Sequence, residues 1–177
     1  MVIGLTSRNA AGKDEVANYL VERRGFSYFS LSDILRDELA RRDLPISREN
    51  LIETGNSLRK KRGPGVLAEL ALETLKNEEK AVVVSIRNPG EVEVLRRKQD
   101  FILVGVDAPL ELRFERARAR GRPEDPSSLE KFVAQERAEL AGSAHQQQLD
   151  ACFAMSDRVL VNDGSLEDLY RKVEELL

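Results

Sequence analysis

Ser7-Arg8-Asn9-Ala10-Ala11-Gly12-Lys13-Asp14 is the stretch of this chain whose residue types and spacing carry the most chemistry. It follows the apolar run Val2-Ile3-Gly4-Leu5-Thr6 and precedes sequence of helical period, so a loop of small residues joins a strand to a helix N-terminus. Such a turn collects backbone N–H groups, and the helix dipole adds positive potential, which together suit an anion. The Gly-Lys pair extends an ammonium toward the terminal phosphates of a nucleotide. Asn9, Ala10, Ala11, Gly12, Lys13, Asp14 and Glu15 are therefore the expected nucleotide-binding residues, for ATP or another nucleoside triphosphate with Mg²⁺. Two residues depart from the G-x-x-x-x-G-K-[ST] pattern. Ser7 stands at the first glycine, a mild change if its φ is negative. Asp14 replaces the hydroxyl that meets the metal. Its carboxylate either ligates Mg²⁺ itself, which makes it the expected metal ligand, or repels the phosphates.

Phosphoryl transfer also needs fixed positive charge around the transferred group and its acceptor. Arginine suits both tasks, because its planar fork makes bidentate contacts with phosphate oxygens. Arg36 and Arg87 follow the ends of predicted strands, where doubly wound sheets bind ligands. Arg113, Arg116, Arg118, Arg120 and Arg122 lie in one helical run, with Arg116 and Arg120 on one face and Arg118 and Arg122 on another. Glu53, Asn56 and Arg59 either line an acceptor pocket or belong to a solvated helix face. Cys152 falls at helical spacing with Leu149 and Phe153 and reads as core, whereas His145 reads as a surface residue.

The elements that must position these residues are legible from apolar runs. Strands are expected at Val2–Thr6, Ser27–Ser30, Ala81–Ile86, Phe101–Val106 and Arg158–Val161. The third and fourth are almost continuously apolar, as strands covered on both faces are. Helical stripes separate them, for example Val16, Tyr19 and Leu20, and later Leu166, Leu169, Tyr170 and Val173. The alternation predicts one α/β domain, a three-layer α/β/α sandwich on a five-stranded parallel sheet of order 2-3-1-4-5. Residues 32–78 are helical throughout and too long for a simple crossover, so they are expected to form an acceptor-binding insert. Residues 116–140, interrupted at Gly121-Arg122-Pro123-Glu124-Asp125-Pro126, are expected to form a small lid.

Composition narrows the functional classes. Mixed charge, with 28 basic against 31 acidic residues, argues against an extended nucleic-acid surface and leaves small-molecule nucleotides as the expected partners. No run approaches the roughly 20 apolar residues of a membrane span. Ser7, Arg8 and Asn9 interrupt the only apolar start, so no secretory signal is expected. A single cysteine excludes an intrachain disulfide and points to a reducing cytosol.

Both ends of the chain resemble dephospho-CoA kinases: Ile3-Gly4-Leu5-Thr6 with Gly12-Lys13 and Val16-Ala17, and the closing Val159-Leu160-Val161-Asn162-Asp163-Gly164-Ser165-Leu166. The middle is similar to nucleoside monophosphate kinases. Phe29-Ser30-Leu31-Ser32-Asp33-Ile34-Leu35-Arg36 resembles the segment that opens their acceptor-binding helix, and Val84-Ser85-Ile86-Arg87-Asn88-Pro89 resembles their Asp-Gly-x-Pro-Arg segment. The resemblance implies a P-loop nucleotide kinase that moves the γ-phosphoryl of ATP to a nucleotide or similar phosphorylated molecule. It implies that Asp33, Arg36 and Arg87 bind the acceptor, and that Lys13, Asp33, Arg87 and the lid arginines Arg118 and Arg122 serve catalysis. Serines stand near the places of two expected acidic residues, at Ser30 or Ser32 and at Ser85, and no His-Pro pair occurs. These departures weigh against dephospho-CoA kinase activity. Similar P-loop domains also occur fused to cytidine or deoxycytidylate deaminase domains, which implies an alternative, a nucleotide-binding regulatory module with little or no catalysis. The Asn162-Asp163-Gly164-Ser165 turn is expected to cap the last helix and, by resemblance, to approach the donor base.

Overall fold

The computed structural model describes residues 1–121, 127–140 and 148–177. Five strands form one parallel sheet of order β2-β3-β1-β4-β5: β1 (Val2–Ser7), β2 (Ser27–Ser30), β3 (Ala81–Val84), β4 (Phe101–Asp107) and β5 (Arg158–Val161). The central β1 pairs with β3 from Val2↔Ala81 and with β4 from Val2↔Phe101 to Ser7↔Val106. This is the sheet expected from the sequence. Because every pair is parallel, the carboxyl ends of all five strands share one edge.

Alternation along the strands divides the interior in two. Ile3, Leu5, Val82, Val84, Val104 and Val106 face α1 (Lys13–Arg24) and α9 (Leu166–Glu174), where Val16, Leu20, Leu169 and Val173 meet them. On the opposite face Val2, Val83, Phe101 and Leu103 meet α2 (Leu31–Arg41), α4 (Val66–Leu75), α5 (Pro89–Leu95) and α8 (Leu149–Ala154). Burying each such Leu or Val contributes roughly 1.5–3 kcal/mol. A one-residue slip in any strand would exchange the side chains offered to the two helix layers, so the packing of each set against its own layer holds the register and thereby the positions of the strand ends.

Between β2 and β3 run α2, α3 (Arg48–Arg62) and α4, and Gly63-Pro64-Gly65 separates the last two. α6 (Leu110–Arg120) follows β4, and α7 (Leu129–Leu140) precedes α8. Arg122 and His145 lie outside the described residues. Strand β3 ends two residues earlier than its apolar run predicts, because Ser85 adopts φ 64° and turns the chain out of the sheet. Cys152 is buried in the core, and burial above all, with the charge of Glu91 adding to it, pushes its thiol up to about 12. No helix among the described residues is long and apolar enough to cross a membrane.

Candidate functional site

The loop between β1 and α1 has the backbone of an anion cradle. Ala10 (φ 58°) and Gly12 (φ 99°) are both left-handed, while Ser7 is not among the positive-φ residues and so accommodates its replacement of glycine. The N–H of Ala11 donates to Arg8 O at 3.3 Å, whereas the N–H groups of Asn9, Ala10, Gly12, Lys13 and Asp14 donate to no described residue. Gly12 is the N-cap of α1 and offers no side chain to its first turn. A cluster of open donors at a helix N-terminus attracts negative charge. Lys13 begins the helix, and its ammonium lies 2.5 Å from Asp14 Oδ1. Glu15 faces elsewhere: with Asn18, Tyr19, Glu22, Arg23 and Tyr170 it lines a groove on the outer side of α1.

The loop is held from the β4–β5 side. Asn162, at the end of β5, donates from Nδ2 to Ala11 O at 2.9 Å. Arg116 of α6 donates in turn to Asn162 O at 3.1 Å and to its Oδ1 at 3.3 Å. Arg113, buried over the Phe132 ring and paired with Glu136 of α7, donates to Asn9 O at 3.3 Å. Arg8 lies between Asp107 and Asp150, each 3.7 Å away, with its guanidinium over Phe153. Of the arginines on α6, Arg113 therefore reaches the loop directly and Arg116 reaches the Asn162 that holds it, and Arg118 is exposed over Phe114. Helical spacing alone does not say which face turns inward, and the sheet decides it.

The Asn162 contact leaves Gly12 no room. A Cβ there would lie 2.2 Å from Asn162 Nδ2, in a backbone conformation that already costs an L-residue roughly 1–2 kcal/mol. Gly12→Ala should destabilise the fold by about 2–4 kcal/mol once overpacking is added, read as a lowered urea midpoint at constant slope. A change below about 0.5 kcal/mol, the scale of ordinary surface substitutions, would show that the loop relaxes freely away from β5.

At the ends of β2 and β3, on the other side of β1, three hydroxyls converge. Ser30 Oγ lies 2.8 Å from Ser32 Oγ and 2.9 Å from Ser85 Oγ. The hydroxyl of Ser30, the N-cap of α2, makes no bond to the helix backbone and serves this cluster instead. Arg36, one turn along α2, donates from Nη1 to Ser32 Oγ at 3.0 Å and to Asp33 Oδ1 at 2.5 Å. Its Nε and Nη2 donate to no described residue, so one side of the fork remains available for a bidentate ligand. Asp33 and Arg36 thus sit together, and Asp33 is the carboxylate nearest the serines in sequence.

Arg87 lies just past Ser85 and is partly buried. Its backbone is fixed by Glu91, whose Oε2 accepts from the N–H of Arg87 at 2.8 Å and of Asn88 at 3.1 Å. Glu91 Oε1 accepts from Nε and Nη2 of Arg59 at 3.0 and 2.7 Å. This ion pair is enclosed, Arg59 at 3% and Glu91 at 0% exposure. Arg59 therefore belongs neither to a pocket lining nor to a solvated face; it anchors α3 to α5. Glu53 is exposed, and Asn56 Oδ1 is buried without a partner among the described residues. At the far end of the loop system Ser165 caps α9 through a reciprocal bond with Asp168, a pattern visible in Ser165-x-x-Asp168.

Comparison with known proteins agrees with this architecture. A family model described as an AAA domain matches residues 9–133. A UPF0200 protein of Thermococcus gammatolerans is 33% identical over 184 aligned positions, covering 100% of this chain and 94% of that protein. Among solved structures, TT1252 from Thermus thermophilus superimposes with a TM-score of 0.64 at 25% identity, over 99% of this chain and 95% of that one. Shikimate kinase from Acinetobacter baumannii, solved in complex with shikimate, gives a TM-score of 0.57 at 19% identity over 99% and 91% of the two chains, a likeness of fold.

Proposed function

The chain belongs to the AAA-domain family and to the UPF0200 group, and on that premise we propose that it transfers the γ-phosphoryl of ATP to a nucleoside monophosphate or a similar phosphorylated small molecule. The observation that carries this reading is the set of open N–H donors at Asn9, Ala10, Gly12, Lys13 and Asp14, one strand position away from a hydroxyl–arginine cluster. The first suits a polyphosphate, and the second suits a single phosphate group. Strands in a sheet are about 4.8 Å apart, so the ends of β1, β3 and β2 lie within the span of two phosphates in line.

In this reaction the bond from the γ-phosphorus to its bridging oxygen breaks as an oxygen of the acceptor phosphate attacks. Lys13 and the loop amides of Asn9, Ala10 and Gly12 hold the donor, with Ala11 closing the turn around it. Arg36 and the serine hydroxyls hold the acceptor phosphate, Asp33 orients Arg36, and Arg87 adds positive charge from the end of β3. Arg118 and Arg122 are the proposed lid arginines, and helices α2–α4 the acceptor-binding insert. A phosphate nucleophile is already anionic and needs no general base. That matches an acceptor end made of hydroxyls and arginine, in which the neighbouring carboxylate, Asp33, is tied to Arg36.

The donor set fits Mg²⁺. The ion prefers one or two carboxylates plus phosphate oxygens and water, and Asp14 offers an exposed carboxylate beside the cradle. Asp14 is its proposed protein ligand; when bound, Mg²⁺ neutralises charge on the β- and γ-phosphate oxygens.

Incubation with ATP, Mg²⁺ and a panel of nucleoside monophosphates and dephospho-CoA, with ADP release followed, tests the proposal. Release that depends on a phosphate-bearing acceptor is expected. One specific observation, the Lys13–Asp14 pair, favours a second reading: a nucleotide-binding module without turnover. ADP binding with no transfer to any acceptor would establish that reading and overturn the first.

A further inference from the structure

Asp14 follows the loop lysine directly and holds its ammonium. The Lys13 side chain is 23% exposed and that of Asp14 77%, so the carboxylate reaches back from solvent onto a partly enclosed cation. A Ser or Thr at this position would leave the ammonium to the phosphates. A carboxylate competes with them, and it does so in the first turn of α1, where the open N–H groups favour whichever anion is present. The charge of Asp14 also extends toward β2: the Tyr28 phenol is raised above its ordinary value by burial first, then by Asp14 and Asp33.

We propose that Asp14 is a latch on the phosphate loop that a divalent cation releases. Without the cation, Asp14 neutralises Lys13 and repels an entering polyphosphate. With it, the carboxylate turns to the metal and the ammonium becomes available to phosphate. The inference rests on the nucleotide-binding reading above and adds a dependence that a hydroxyl in this position would not create.

ADP affinity measured by calorimetry, in EDTA and in Mg²⁺, for the natural protein, Asp14→Asn and Asp14→Ser tests it. In EDTA both variants should bind ADP about tenfold more tightly than the natural protein, the factor that 1.4 kcal/mol makes. Adding Mg²⁺ should tighten the natural protein by tenfold or more on the same scale and Asp14→Asn by less than about threefold. With ADP present, Mn²⁺ followed by water-proton relaxation should bind more weakly to Asp14→Asn than to the natural protein. Asp14 is exposed, and the two replacements differ in shape, so agreement between them in EDTA separates charge from an accident of folding. Equal ADP affinity of all three proteins in EDTA overturns the latch and leaves the nucleotide site standing. No ADP binding by any of them, with or without Mg²⁺, overturns both.

Discussion

Lys13→Met is expected to reduce phosphoryl transfer by roughly 10²–10³-fold, the scale of removing one preorganised charge from a transition state. The loss should fall mainly on kcat, because charge on the β–γ bridging oxygen grows as the bond breaks, whereas the loop amides still hold the ground-state nucleotide. The fold should hardly notice. Among the described residues Lys13 is paired only with Asp14, which is mostly exposed, and pairs of that kind contribute about 0–1 kcal/mol. Thermal unfolding without ligand should therefore be nearly unchanged, while stabilisation by ADP and Mg²⁺ becomes smaller, since a ligand stabilises by mass action according to its affinity. A variant that keeps its full transfer rate would remove the loop lysine from the mechanism and send the search for the donor site elsewhere.

How much of this was readable beforehand depends on how local each signal is. The sheet, its order and the tight turn from β1 into α1 were legible, because β1, β3 and β4 are apolar runs bounded by turns and the loop is contiguous. The end of β3 was not: Val84-Ser85-Ile86 reads as strand, and only the left-handed turn at Ser85 stops it. The hydroxyl cluster is also out of reach of a linear reading. Ser30 and Ser85 are 55 positions apart and meet because β2 and β3 pair in register, Ser30 opposite Val84. The serines were noticeable only as absences of acid. On α6 the sequence offered several arginines, and helical spacing sorted them into faces without saying which face the sheet would receive. Arg113 reaches the loop, and Arg116 the Asn162 that holds it, because β4 delivers α6 beside β5, a consequence of strand order. Arg59 was the least legible. It sits near the end of a strongly polar helix, next to Lys60, Lys61 and Arg62, and a charge pattern gives no reason to bury one member of that run.

That buried arginine supports the second large effect. Arg59→Met should destabilise the fold by about 3–5 kcal/mol, because it leaves the Glu91 carboxylate enclosed without its counter-charge. Glu91→Leu should cost at least as much by a different route. It strands the Arg59 guanidinium and also removes the acceptor for the N–H groups of Arg87 and Asn88, each orphan worth about 1–3 kcal/mol. Combining Arg59→Met with Glu91→Gln should recover part of the loss. The charge imbalance disappears, and the Gln carbonyl still accepts a backbone bond from the β3–α5 turn. Urea unfolding at constant slope measures all three together with Glu91→Gln alone, and strict additivity of Arg59→Met and Glu91→Gln in the double variant would show that the residues do not act as a pair. The turn they hold carries Ser85 and Arg87, so the double variant offers a further separation. If its stability recovers while acceptor KM remains raised, the pair matters to function through the position of that turn. If both recover together, stability alone accounts for it.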